Sequence, residues 1–388
     1  FRAVADVCER QYGAEYLASL TTENTARDME SVRQLLGEDR ISFLGKAHGA
    51  ASGRVYASLF PDTLRSMVLD SAFVHDPTLV DSESRAEARE DQLQRLDRAC
   101  AAWEACPVAD IGLLPAIAAA RDDPAEGGSI GPLEASEFEA AIEELYVSPW
   151  VFGDVASGLA LALEDEASLA DHPITYLAGP EDAAGAREAV ICADGGPYAG
   201  TSDDLLDEAE RTLARAPGAG PVWSVPCDLW PVSGSGIPPV DYGGAAPIVV
   251  VGNSHDAVTP YAWSVALAEA LGPNATLLTW DGSGHATALT GFDSCLDEQL
   301  IGFLVDGVVP EPGTVCPQRG FLGIEMDYTV TPNLISGVVP GGAADAAGLR
   351  VGDIIVEADG RPVESGEDLP EGTIGQSLEL KLQRGDQT

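Results

Sequence analysis

Short apolar runs alternate with amphipathic stretches through the first seventy residues. Residues 23–37 place Met29, Val32, Leu35 and Leu36 at helical spacing, and Gly37 stands where a helix C-cap belongs. Ile41-Ser-Phe-Leu44 reads as a strand and Gly45-Lys-Ala-His-Gly49 as a turn. Ala50 to Phe60 follows as a helix of small residues, which Pro61 ends. Ser66-Met-Val-Leu69 is the next strand. Strand and helix in alternation predict a parallel sheet of α/β type.

From about Pro77 to Ala216 the pattern changes. Acidic helical stretches over 81–104, 134–146, 154–170 and 202–215 dominate, and strand signals are nearly absent. A long helical insertion in an α/β chain reads as a cap or lid. The sheet resumes at Pro247-Ile-Val-Val-Val-Gly252 and at Ala275-Thr-Leu-Leu-Thr-Trp280, with a helix over 261–271 between them and another over 292–305. Pro310, Pro312, Gly313 and Pro317 mark a linker. Beyond Arg319, turn glycines separate short apolar strands around one short helix, Ala343 to Ala347, capped by Gly348. The last segment is therefore expected to be a separate, small β-rich unit.

Composition narrows the function. The 388 residues suffice for roughly two to three domains with a real core. Against 63 acidic side chains stand 21 basic ones, a net charge of −42. A field of that sign repels phosphate backbones and anionic lipid, so no nucleic acid and no membrane surface is expected as a partner. No apolar run approaches the ~20 residues needed to span a bilayer. The seven cysteines form no CxxC or Cys/His pattern, which argues against zinc. Cys100 with Cys106, Cys192 with Cys227, and Cys295 with Cys316 form three local pairs and leave Cys8 over. That arithmetic suggests disulfides and an oxidising compartment. The chain opens at Phe1 without a methionine, as a processed or trimmed polypeptide does.

The chemistry concentrates at three strand ends. Gly45-Lys-Ala-His-Gly49 matches the G-x-S-x-G elbow, in which a tight strand-to-helix turn exposes a nucleophilic serine, except that its centre is Ala47. Asp256 follows the strand 247–252, and His285 follows the strand 275–280. Nucleophile, acid and histidine in that order are the α/β-hydrolase order, with the acid orienting the imidazole. His255 lies beside Asp256, but a base belongs after the last strand, so His285 is preferred. Ser254 and Ser283 sit on no elbow and cannot replace the missing hydroxyl.

The stretches TTENTARDMESVRQLLGEDRISFLGKAHGA, VYASLFPDTLRSMVLDSA, ICADG, CDLWP and PIVVVGNSHDAVTPYAWSVALAEAL with DGSGHATAL carry a family resemblance over residues 8–317. They resemble the secreted actinobacterial tripeptidyl-aminopeptidase branch of α/β-hydrolases, serine peptidases related to prolyl aminopeptidases. The resemblance implies Asp256 as acid, His285 as base, Ala47 at the nucleophile position and the His48 N–H as an oxyanion donor. Cys192 with Cys227 and Cys295 with Cys316 also look like cysteine pairs of that family. Peptide is the implied substrate, with no cofactor and no metal.

Two departures stand out. Ala47 is either an engineered Ser→Ala change or a natural loss. Intact Asp256 and His285 favour the first, and the unusual neighbours Lys46 and His48 favour the second. Only about 40 residues precede Ala47, and they hold none of the early strands that an α/β-hydrolase sheet has before its elbow. Those strands are expected on a second polypeptide, after processing or splitting, or in sequence lost from this chain. Cys8 is a candidate bond to them.

Arg319-Gly-Phe-Leu-Gly-Ile324 and VVPGGAADAAGLRVGDIIVEADGRPVESGEDL resemble an HtrA-type PDZ domain. There, backbone N–H groups near Leu322, Gly323 and Ile324 would hold the C-terminal carboxylate of a peptide or protein that adds as a strand. Pro370 and Gly372 follow Glu367-Asp-Leu369 closely, so the second helix must be short or lost, and a docking role without peptide competes.

The expected architecture is an α/β-hydrolase core over 1–76 and 241–317, a helical cap over 77–240 and a PDZ domain over 318–388. The expected function is a secreted or cell-surface serine exopeptidase scaffold that releases short N-terminal peptides and is inactive with Ala47. The alternatives are a peptide-binding pseudoenzyme and a secreted esterase.

Overall fold

The computed structural model describes residues 1–73, 82–102, 106–122, 129–130, 133–163, 174, 185–195, 199–222, 224–234, 236–291, 293–318, 324–326, 331–338, 344, 347–369 and 378–385. Two compact units divide the chain. One is Phe1–Arg95 with Tyr146–Pro149 and Ala178–Cys316, the other Leu96–Leu145 with Trp150–Leu177 and Pro317–Thr388.

The first unit opens with helices α1 (Arg2–Tyr12), α2 (Ala14–Ser19) and α3 (Thr22–Leu36), followed by β1 (Ile41–Lys46), α4 (His48–Leu59) and β2 (Leu64–Asp70). Helix α3 forms as its caps dictate. The Thr21 side chain accepts the Asn24 N–H, and Gly37 takes the left-handed φ of 71° that ends the helix. Helix α5 (Ser82–Ala102) starts in this unit; α6 (Leu113–Asp122), most of α7 (Ala135–Val147) and α8 (Phe152–Leu163) belong to the second unit, and the first resumes with α9 (Ala186–Asp194) and α10 (Leu205–Arg215). Then β3 (Ile248–His255), α11 (Tyr261–Leu271), β4 (Ala275–Ser283), α12 (Ser294–Ile301) and β5 (Val315–Pro317) complete the unit. In the acidic middle segment the pattern reveals neither α6 nor α9, whose alanine-rich faces carry little periodic contrast. Among the described residues of that segment strands are sparse, with two-residue pairings at 129–130 with 133–134 and at 199–200 with 225–226.

The sheet runs β1-β2-β3-β4-β5, and the first three pairings are parallel. Both faces of its middle are covered, which explains the near-continuous apolar runs of β2 and β3. Met67, Leu69, Ile248 and Val250 pack with α4 and α11 residues on one side. Val68, Val249 and Val251 pack with Leu296, Leu300 and Phe303 of the α12 region on the other. The segment expected as a linker contributes β5, a strand too short to announce itself. It is tied to α12 by the Cys295–Cys316 disulfide. Helix α12 is shorter than expected, because residues 302–306 form a π-type turn. Disulfides Cys100–Cys106 and Cys192–Cys227 also form, and Cys8 is free and half-buried.

In the second unit, β6 (Ile324–Met326) pairs with β7 (Ile335–Val338), while β8 (Ile354–Ala358) pairs with β9 (Arg361–Pro362) and β10 (Leu380–Gln383). Ile335, Leu349, Ile355, Ala358 and Val363 form their core. Leu322 and Gly323 of the expected carboxylate loop lie outside the described residues, as do Pro370 and Gly372. Ile324 opens β6. Just before Pro370 the chain makes a single 3₁₀ turn, Gly366–Asp368.

Small residues let α4 lie directly on the sheet. A Cβ built on Gly53 would fall 2.4 Å from Phe43 Cε1 and 2.7 Å from Leu69 Cδ2. Gly53→Ala is therefore expected to lower stability by about 1–3 kcal/mol, read from the urea midpoint at an unchanged m-value.

Candidate active site

The parallel strands deliver their C-terminal ends to one edge. Residue 47 follows β1, Asp70 and Ser71 end β2, Asp256 follows β3, and His285 follows β4. At the first of these, Ala47 adopts φ 50° and ψ −118°, a conformation a non-glycine residue rarely takes. The turn closes because Gly45 has no Cβ, which would sit 2.4 Å from the Gly49 carbonyl oxygen. The Ala47 N–H donates to the Asp70 carbonyl at 2.9 Å, and the turn feeds straight into α4. The N–H of His48 opens that helix, where first-turn donors have no acceptor within the helix. The exposed His48 ring approaches Thr22, with Nε2 3.4 Å from the threonine Oγ1, and Thr22 in turn donates to buried Asp194 at 2.6 Å.

At the other end of the site, His285 Nδ1 lies 3.1 and 3.0 Å from the two carboxylate oxygens of Asp256. The pair is dry: the ring is 8% exposed and the Asp256 side chain 1%. The N–H groups of Val258 and Thr259 donate to Asp256 Oδ1 at 2.9 and 2.8 Å, fixing the carboxylate. Burial opposes a charge on His285, but the charge and hydrogen bond of Asp256, with the charge of Asp70, outweigh it and raise the imidazole pKa. With Nδ1 turned to Asp256, Nε2 is the nitrogen left to accept a proton. The His285 N–H donates to the Val147 carbonyl at 3.0 Å, so the end of α7 abuts the histidine loop. His255 is held elsewhere, with Nδ1 3.4 Å from Asp91, and the Ser254 hydroxyl donates to Asp281.

Sequence reasoning missed the residues that join these ends. Thr259 Oγ1 lies 3.0 Å from Asp256 Oδ2, 3.1 Å from the Ser71 carbonyl and 3.3 Å from His285 Nδ1. Asn253 donates to the Gly284 carbonyl at 2.9 Å and accepts the Thr287 hydroxyl at 2.9 Å, pinning the loop on both sides of the histidine. Asp70 was marked only by an acid ending an apolar strand. Among the described non-glycine residues, four of the five with positive φ (Ala47, Ser71, Ala286 and Leu289) cluster here. Strain of this kind persists where surrounding contacts over-determine the backbone, and it gathers at functional sites.

A parallel sheet with a strained strand-to-helix turn, and an acid and a histidine at later strand ends, defines the α/β-hydrolase class. Residues 217–316 match the family model described as TAP-like protein, and residues 334–384 match that of the PDZ domain. The chain is 30% identical over 343 residues to the serine protease Hip1 of Mycobacterium tuberculosis, covering 80% of this chain and 64% of that one. It is 29% identical over 337 residues to a tripeptidyl aminopeptidase of Streptomyces lividans, covering 81% and 61%. It is also 31% identical over 342 residues to carboxylesterase B of M. tuberculosis, covering 81% and 64%. This chain thus spans less than two thirds of the length of these relatives. Among solved structures, an α/β hydrolase from a deep-sea metagenome library overlays loosely, at a TM-score of 0.32 and 12% identity, covering 75% of this chain and 74% of that one. Residues 217–316 are thus a TAP-like α/β-hydrolase segment, and residues 334–384 are a PDZ domain.

Burial is the largest single influence on His285, so removing the charge of Asp256 should reverse the net effect. In Asp256→Asn the imidazole should titrate below its ordinary value of about 6.5, whereas the parent titrates above it, read from ring ¹⁵N shifts against pH.

Proposed function

We propose that this chain is the scaffold of a serine exopeptidase of the tripeptidyl-aminopeptidase kind, idle in this form because Ala47 supplies no hydroxyl. The observation that carries the reading is the buried Asp256–His285 pair, kept intact at the sheet edge that also holds the strained turn at residue 47. With serine at 47, His285 Nε2 would take the hydroxyl proton as the oxygen attacks a peptide carbonyl. Asp256 would hold the imidazolium that forms, and the same proton would then pass to the leaving amine. The His48 N–H would stabilise the oxyanion. A short peptide with a free N-terminus is the expected substrate. Carboxylesterase B among the relatives supports testing an ester beside the amide.

Ala47 itself favours a second reading, a peptide-binding protein that has given up turnover. In either reading the PDZ domain is proposed to receive a peptide or protein C-terminus near Leu322, Gly323 and Ile324, or to dock without a peptide. Three disulfides support an extracytoplasmic location, and no described helix is long and apolar enough to cross a membrane. Further strands, from a longer polypeptide or a second chain, are inferred to cover β1. Parallel strands are normally buried, yet among the described strands β1 has a partner on one side only, Leu44 on it is 37% exposed, and Leu35 and Leu36 of α3 are open to solvent.

The test is Ala47→Ser in a form that includes those strands, assayed on tripeptidyl amides and short-chain esters and with a serine-directed phosphonate. Labelling at residue 47 and amide turnover of order 10⁶ above the Ala47 form are expected. A folded variant that is neither labelled nor active would leave the binding protein.

A further inference from the structure

Asp70 is completely buried, and no step described so far uses it. Its carboxylate Oδ2 accepts the Ala288 N–H at 2.8 Å, three residues beyond His285, and its Oδ1 accepts the Ser71 hydroxyl at 3.2 Å. The same residue's carbonyl holds the Ala47 N–H. Ser71, at φ 51°, continues the clasp: its Oγ accepts the Ala286 N–H at 2.8 Å and the Asn253 side-chain amide at 3.2 Å. The two N–H groups flanking Thr287 are thus gripped by adjacent residues at the end of β2. The grip spans more than two hundred residues of sequence and reaches the elbow through one peptide unit.

We propose that Asp70, acting with Ser71, is a positioning residue for His285. It locks the histidine loop to the elbow turn and adds a second negative charge behind the imidazole. This role rests on the hydrolase reading of the site.

Ordinary structural needs do not explain a carboxylate here, because Asn would offer Ala288 the same acceptor without a buried charge. Burial first, and then the charge of Asp256 from the turn after β3, push the Asp70 carboxyl up. The Ala288 N–H, the charge of His285 from the loop after β4 and the Ser71 hydroxyl pull it down, and the balance is about 6. The neighbour across the sheet in β1 is Lys46. A carboxyl raised in the folded state makes ionisation unfavourable for folding. Its stabilising contribution is present below the unfolded value of about 4 and is lost as pH rises through about 6. A residue that weakens the fold at neutral pH, yet touches the histidine loop, is better explained by function than by stability.

The experiment uses the chain as it stands, ¹⁵N-labelled, with its Asp70→Asn variant. In the parent, the Ala288 amide shift should titrate with a midpoint near 6. In Asp70→Asn, the His285 ring should titrate lower by about half a pH unit or more, and the thermal midpoint should rise relative to the parent as pH goes from 4 to 8. A flat Ala288 amide across that range, or identical His285 titrations in parent and folded variant, overturns the proposal. If Asp70→Asn fails to fold, the parent's Ala288 titration decides alone. None of these readouts needs turnover. An unlabelled Ala47→Ser protein with coupled titrations therefore sinks the peptidase reading alone, and a labelled one with uncoupled titrations sinks the positioning role alone.

Discussion

The bond from the Ala47 N–H to the Asp70 carbonyl holds together a turn that its own backbone disfavours. Left to itself, a non-glycine residue at φ 50° would relax toward a common conformation. Parallel pairing of β1 with β2, glycine at position 45 and the close seat of α4 on the sheet remove that freedom. The remaining parts of the site are referred to this point. Asp70 and Ser71 reach across to the histidine loop, Thr259 reaches back from the acid turn to the Ser71 carbonyl, and Asp256 orients His285.

Electrostatics at this edge is arranged against the fold's own preference. Two carboxylates, Asp70 and Asp256, lie buried around one imidazole. Asp256 is satisfied by two backbone N–H groups, a hydroxyl and the ring, as a buried carboxylate requires. Asp70 is completely buried, has fewer donors and lies close to Asp256; burial first, and then that neighbouring charge, displace its ionisation upward. Such paired buried acids are expensive in a core and useful beside a histidine that must become positive.

What was legible in the sequence was local. Helix α3 with its Gly37 cap, the G-x-x-x-G turn, and the acid and histidine after successive strands could be read from spacing, because each depends on neighbours along the chain. The Asp70–Ser71 clasp could not. It joins residues about 215 apart by bonds to backbone N–H groups, and backbone donors leave no trace in residue type. Thr259 shows why even nearby polar residues hide: three residues after Asp256, it reads as turn chemistry until the Ser71 carbonyl and His285 are brought beside it. Strand β5 escaped for another reason, since three residues, the last of them Pro317, cannot display a period.

Catalysis on this scaffold requires that residue 47 be held where His285 can act on it. The most direct measurement is the pH dependence of alkylation in Ala47→Cys, with and without His285→Ala, against the parent, whose one free thiol is Cys8. The account predicts rapid alkylation well below the ordinary thiol pKa of about 8.5, because the imidazolium stabilises the thiolate, and loss of that reactivity with His285→Ala. Alkylation that follows the ordinary thiol and ignores His285 would contradict it.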